Sequence, residues 1–277
     1  MKESGMKILI KTLLTILILT FPYKAFADCE FTFLNDFFAP NGQDRWLTND
    51  VRAGCGNWLI GSEMYTPTDK SLEEIQENDR NWDGYTYIQY KHEMPIELGE
   101  SRILLARFGG LGDYSKAERM QKFIHNDLGR GVPPQGWENQ NDPEVAIDII
   151  YKQVSEGYLD TFIGKARRKT NYGFRAGNVK IESFIEQYIY RELGSNIEFY
   201  SGIGGRAVYF NTFLDGRMFS DNIHIVDKQP FVANFIAGIV IKYNAFEVDY
   251  NFQYQTEEFK GQEARHEFGE LTLRYKF

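Results

Sequence analysis

Nowhere after residue 27 does this 277-residue chain hold an apolar run near the roughly 20 residues that a membrane-crossing helix requires. Basic charge is scarce too: 31 Lys and Arg stand against 39 Asp and Glu, a net of −8. An acidic surface cannot supply the cationic contacts that phosphate backbones demand, which excludes a nucleic-acid partner. Cysteine is nearly absent. Cys29 and Cys55 have no metal-ligand spacing; an oxidising compartment permits a disulfide between them, the alternative being two unpaired thiols on neighbouring strands. Also missing are a G-x-S-x-G serine elbow, an H-E-x-x-H zinc helix, a phosphate-binding P-loop and a Cys-x-x-Cys pair. Gly202-Ile-Gly204-Gly205 is too short a glycine cluster for a nucleotide and lies in a strand-like run. No repeat, linker or low-complexity tract divides the chain.

Aromatic residues, by contrast, reach 16%, with 17 Tyr and 22 Phe. A soluble globular protein seldom needs so many, whereas a membrane β-barrel sets rings of them at both water–lipid boundaries. The two ends of the chain agree. Lys2, Lys7 and Lys11, an apolar run from Leu13 to Phe21 and the small-residue site Ala25-Phe26-Ala27 have the plan of a secretory signal peptide. Cleavage after Ala27 is expected, leaving residues 28–277 as a single domain. Asp28 stands where a lipoprotein would place a small residue before Cys29. The exported part keeps 27 basic against 38 acidic residues, a net of −11, so contact with phosphate-rich lipid calls for a local basic cluster or a divalent cation. At the other end, Leu271, Leu273, Tyr275 and Phe277 alternate with Thr272, Arg274 and Lys276. A terminal strand of this kind, ending on an aromatic residue, is how outer-membrane barrels of bacteria finish.

Period-two alternation recurs along the chain. Phe246 to Tyr254 interleaves apolar with polar residues; Phe184–Tyr190, Phe231–Tyr243 and Ile197–Phe213, with a tip at Asp215-Gly216, read as further strands. Gly194-Ser195-Asn196 reads as a tight turn. At about 9 to 11 residues per transmembrane strand, the domain accommodates on the order of 10 to 14 antiparallel strands closed into a barrel. One segment interrupts the pattern. Ser115-Lys-Ala-Glu118 has the form of a capping box, and the run from Arg119 to Leu128 is helical in character up to Gly129. A short helix near residues 116–128 has no part in closing a sheet, so it is a place to look for chemistry.

Gln121 and His125 are four apart on that helix and share a face. A histidine of near-neutral pKa can take a proton from water and pass it to a leaving alcohol. Asn35 and Asp36 are polar residues set among apolar ones, and Asp44-Arg45-Trp46-Leu47-Thr48-Asn49-Asp50 follows. Their oxygens are hard ligands suited to Ca²⁺, or else the polar lumenal half of two strands. Lys70, in the run that starts at Glu63, is either an oxyanion partner or a loop lysine.

Taken together, Asn35-Asp36, Asp44-Arg45-x-x-Thr48, Tyr65-Thr66-Pro67 with Lys70, Asn78-Asp79-Arg80 with Gly84, Gln121-x-x-x-His125 and Pro134-Gln135-Gly136-Trp137-x-x-Gln140 resemble the outer-membrane lipid A 3′-O-deacylases, the LpxR type. The resemblance implies a 12-stranded barrel with its active site near the outer-leaflet end. It implies Ca²⁺-dependent hydrolysis of the acyloxyacyl ester at the 3′ position of lipid A in lipopolysaccharide, in the outer membrane. Separately, the barrel is expected to be a monomer, a state the sequence itself does not decide. His125 would be the general base and Gln121 its support. Asn35, Asp36 and Thr48 would form the site for Ca²⁺ and the oxyanion, and Lys70 would face the substrate's phosphate or the developing charge. The chain departs from the family pattern in two places: Asn49-Asp50 follows Thr48 where a small residue is common, and only Asp127 offers a carboxylate soon after His125. A Ca²⁺-dependent phospholipase and a non-catalytic porin or surface-binding barrel are the alternatives.

Overall fold

The computed structural model of the chain describes residues 28–39, 45–123, 125, 133–161 and 164–277. The expected signal peptide, residues 1–27, lies outside them. Twelve strands form one closed antiparallel barrel. They are β1 (Cys29–Asn35), β2 (Trp46–Cys55), β3 (Trp58–Thr66), β4 (Asp83–Glu97), β5 (Glu100–Leu111), β6 (Glu144–Thr161), β7 (Gly164–Gly177), β8 (Lys180–Glu192), β9 (Ile197–Asn211), β10 (Phe231–Tyr243), β11 (Phe246–Gln255) and β12 (His266–Tyr275). Each strand pairs with its chain neighbours, and β1 pairs with β12 to close the cylinder. Closure satisfies every strand edge, as hydrocarbon demands. The alternating terminal segment is indeed the closing strand.

The connections sort the two ends. Short turns at 56–57, 98–99, 193–196 and 244–245 share one end with the barrel's two termini, while the long segments 67–82, 112–143, 212–230 and 256–265 share the other. Barrels of this kind put short turns toward the periplasm and long loops outside. Gly56, Gly99, Gly194 and Asn244 take positive φ in those short turns. At the periplasmic end Cys29 and Cys55 stand opposite each other in the β1–β2 register and are joined as a disulfide.

Alternation turns apolar side chains such as Ile60, Ile88, Phe108 and Ile203 outward and polar ones inward. Buried interior charges pair across strands, among them Arg175 with Asp148 at 2.6 Å and Arg107 with Glu63 at 3.6 Å. Toward the outer end the lumen is filled. Tyr65, Tyr85, Tyr87, Leu111, Val179 and Phe213 form one cluster, and Trp46, Leu214 and Phe259 another above it. Arg80 bridges to Glu258 at 2.9 Å, and Arg217 grips both oxygens of Asp83 at 2.7 Å each. Among the described residues the outer end is thus packed rather than open as a porin's channel is.

Three local expectations change. β9 stops at Asn211, whose Oδ1 accepts from the Phe213 amide at 3.1 Å and starts a helical turn, α2 (Thr212–Asp215). β1 stops at Asn35, so Asp36 opens a 3₁₀ turn, Asp36–Phe38, instead of continuing the strand. The inserted helix α1 is Ala117–Lys122, followed by a wider turn that includes Phe123 and His125; residues 126–132 lie outside the described ones. Its capping box does not form. Lys116 takes the cap position at φ 59°, and Ser115 Oγ accepts from the Ala117 amide from within the preceding 3₁₀ turn, Gly112–Ser115.

Candidate active site

The row Asn35, Asn49, Met64, Gly84 runs across β1 to β4 in register. Directly paired residues point to the same face. Asn35 shares its parity with Phe31 and Phe33, which face out, and alternates with Thr32 and Leu34, which are buried in the lumen. Gly84 shares its parity with the exposed Ile88. The row therefore lies on the lipid-facing side of the barrel at its outer end, and it begins with two asparagines where a barrel wall calls for apolar residues.

A β-bulge adds to this polarity. The β2–β3 register shifts between Leu47 and Asn49, leaving Thr48 as the extra residue. Leu47 packs inward on the lumenal cluster, whereas Thr48 is re-aimed and shares a 2.5 Å hydrogen bond with Thr66 Oγ1. Asn35 Nδ2 donates to the Thr48 carbonyl at 2.6 Å. Asp36 is fully enclosed, and its Oδ2 accepts from the Arg45 amide at 2.5 Å. The turn carrying Asp36 folds over the outside of the wall: Phe38 meets Phe33 edge-on at 5.4 Å, and its carbonyl accepts from Tyr250 Oη at 2.9 Å.

On the other flank sits α1, also against the outside of the barrel. Met64, Trp82, Ala117 and Trp137 form a buried cluster with Met120 packed on it. Glycine at position 84 is what admits the helix, because a Cβ there would come within 2.3 Å of both Ala117 Cβ and Ser115 Oγ. Gln121 is buried, and its Oε1 accepts from Trp137 Nε1 at 2.6 Å. One turn on, His125 is half-buried; its Nδ1 is enclosed and has no hydrogen-bond partner among the described residues. Lys70 is buried in the loop between β3 and β4, where its carbonyl accepts from the Gln135 amide at 3.0 Å. Asn81 Nδ2 donates to the Asn139 carbonyl at 2.5 Å, which ties the 67–82 segment to the stretch that follows the helix.

All six sequence-derived candidates thus lie at the outer end. Asn35, Asp36 and Thr48 interlock on β1–β2; Gln121 and His125 arrive on the helix seated over β3–β4; Lys70 enters from the adjoining loop. Thr66 and Trp137 received no role from the sequence although both lie in motifs noted above. The signal for Thr66 is its parity with outward Met64. Among the described residues no cluster of three His, Cys, Asp or Glu side chains is placed to hold a metal. A cation here would rest on amide, hydroxyl and single-carboxylate oxygens, a donor set that suits hard ions.

A family model described as outer membrane protein LpxR matches residues 56–189 and 163–277. The chain belongs to the LpxR family. It is accordingly a protein of the bacterial outer membrane, and β1 and β2 lie upstream of the matched stretch. Among solved structures, LpxR from Salmonella typhimurium aligns with a TM-score of 0.77 at 13% identity, covering 91% of this chain and 100% of that one. The NanC porin aligns at 0.44 and 7% identity, covering 91% of this chain and all of its own. The β domain of the Bordetella autotransporter BrkA gives 0.45 and 9%, with 91% and 99% covered. No curated protein sequence matches.

Proposed function

We propose that this LpxR-family barrel is a lipid A 3′-O-deacylase that hydrolyses the ester of the 3′ acyloxyacyl group of lipopolysaccharide, aided by Ca²⁺. The observation that carries the reading is the placement of the polar row. Asn35, Thr48 and Asn49 stand on the lipid-facing wall at the outer end, between the Asp36–Phe38 turn and α1. A substrate there would be a lipid of the outer leaflet, with its acyl chains along the apolar wall below and its polar head against the loops.

His125 takes the proton of a water as that water attacks the ester carbonyl, and returns it to the departing hydroxyl. Gln121, held by Trp137, fixes the helix that presents the imidazole. Lys70 faces the substrate's phosphate or the developing negative charge. Asn35, Asp36 and Thr48 are the residues that would hold the cation; their hard oxygens and the enclosure of Asp36 suit it. Bound there, a divalent ion supplies polarisation of the ester carbonyl and stabilisation of the oxyanion.

The test is mass spectrometry of lipid A incubated with purified, detergent-folded protein, with Ca²⁺ and with chelator. Loss of one acyloxyacyl unit with Ca²⁺ alone, and a drop of about 10² to 10⁴ in rate for His125→Ala, is the expected result. Intact lipid A alongside hydrolysed glycerophospholipid would move the substrate to phospholipids; no hydrolysis of either by a folded barrel would end the enzymatic reading.

A further inference from the structure

Asn49 is a residue whose environment the foregoing chemistry does not use. It is 6% exposed, and its Oδ1 is enclosed with no hydrogen-bond partner among the described residues. A buried carbonyl oxygen left without a donor is destabilising, and barrels have a simple remedy, an apolar residue on the lipid face. Here the outward face at this height holds an amide instead. In the register Asn49 lies directly between Asn35 on β1 and Met64 on β3, next to the bulge residue Thr48. Met64, its partner on β3, is covered by α1 and its loop.

We infer that Asn49 Oδ1 is a ligand for a divalent cation, completing with Asn35 and Asp36 a site of hard, mostly neutral oxygens. The inference rests on the deacylase reading for its location and adds a residue that the family motif does not contain. Two features favour an ion over a hydrogen-bonding group of the substrate. The oxygen is enclosed, out of reach of a bulky lipid head, and only a group as small as a bare ion would fit against it. The neighbouring Asn35 directs its amide nitrogen to the Thr48 carbonyl and stands opposite Asn49 in the register, which puts a second carboxamide, a group whose oxygen Ca²⁺ accepts, beside the first. A neutral ligand at this position adds coordination without adding charge to a lipid-facing wall.

The experiment is calorimetric titration of Ca²⁺ into chelator-treated, detergent-folded protein, for the wild type, Asn49→Ala and Asn49→Asp, with the melting temperature of each metal-free barrel measured in parallel. Asn49→Ala should weaken Ca²⁺ binding at least tenfold while leaving the metal-free melting temperature unchanged or higher, since an unsatisfied acceptor has been removed. Asn49→Asp should bind Ca²⁺ as well as the wild type or better. Wild-type affinity in Asn49→Ala, or no Ca²⁺ binding by the wild type, overturns the inference. So does a lowered metal-free melting temperature with affinity unchanged, which would mean that Oδ1 holds a structural water. Lipid A hydrolysis by the same preparations separates the two claims. Cleavage with Ca²⁺ affinity indifferent to Asn49 removes this ligand and keeps the enzyme; Asn49-dependent Ca²⁺ binding without cleavage keeps the ligand and removes the deacylase reading.

Discussion

Trp137 Nε1 donates to Gln121 Oε1 at 2.6 Å, and both side chains are buried. The bond ties the returning limb of the longest outer loop to the helix that carries His125. Trp137→Phe keeps a ring against Trp82, whose own ring lies 5.1 Å away, but removes the donor and orphans a buried acceptor, at about 1–3 kcal/mol. We expect a heat-modifiable barrel whose 112–143 segment is cut faster by protease and whose hydrolysis of lipid A slows about tenfold. Wild-type cleavage and rate would mean that apolar packing alone holds the helix.

Gly84 is the seat of α1. Gly84→Val would drive a branched side chain into Ala117 and Ser115, which already stand where a single Cβ would be 2.3 Å from each. Because the clash is on the outside of the wall, the barrel should fold while the helix lifts. Expected are unchanged heat-modifiability, new protease sensitivity near residues 112–123, and hydrolysis reduced at least a hundredfold. Full activity in a folded Gly84→Val protein would detach the helix from the chemistry.

Glu258 sets an acid limit on the packing of the outer end, where it pairs with Arg80. Burial raises its carboxyl, but the nearby charges of Arg80, Lys180 and Arg206 outweigh this and hold it at about 2, below the ordinary 4.5. A folded-state value below the unfolded one contributes stability that is complete above pH 4.5 and fades as pH falls from there toward 2. In urea unfolding of the detergent-folded protein, the stability difference between wild type and Glu258→Gln should therefore be largest above pH 5 and shrink toward zero near pH 2, to within about a pH unit. A difference that does not change with pH would remove Glu258 from the acid response.

The Cys29–Cys55 disulfide lies at the end opposite the site, across a sequence separation of 26. In the chain-entropy description a loop of that length is worth about 3.5 kcal/mol. The double variant Cys29→Ser, Cys55→Ser should lose stability of this order in denaturant while hydrolysing lipid A at the wild-type rate. A drop in rate with the barrel still folded would reveal coupling between the two ends.

The candidate site was only partly legible in the sequence. Gln121 and His125 stand out by helical spacing in a chain of strands, and Asn35 and Asp36 by polarity among apolar neighbours. The spacing that suggested Gln121 as a partner for the imidazole could not show that Trp137 claims its oxygen, because the two are 16 positions apart and meet only through the loop's return. Thr48 carried no sign of its direction either. Strict alternation assigns it to the lumen, with Asp50 and Arg52, and the bulge reverses that assignment.

By itself the sequence determined the barrel: period-two alternation, aromatic content and a closing terminal strand are local properties that lipid and backbone hydrogen bonding turn into one architecture. Register, bulge and loop return are long-range outcomes, set by which residues meet across strands. These alone decided that Asn35, Thr48 and Asn49 lie on the outer wall, not in the lumen, and that Gly84 leaves room for a helix to seat beside them.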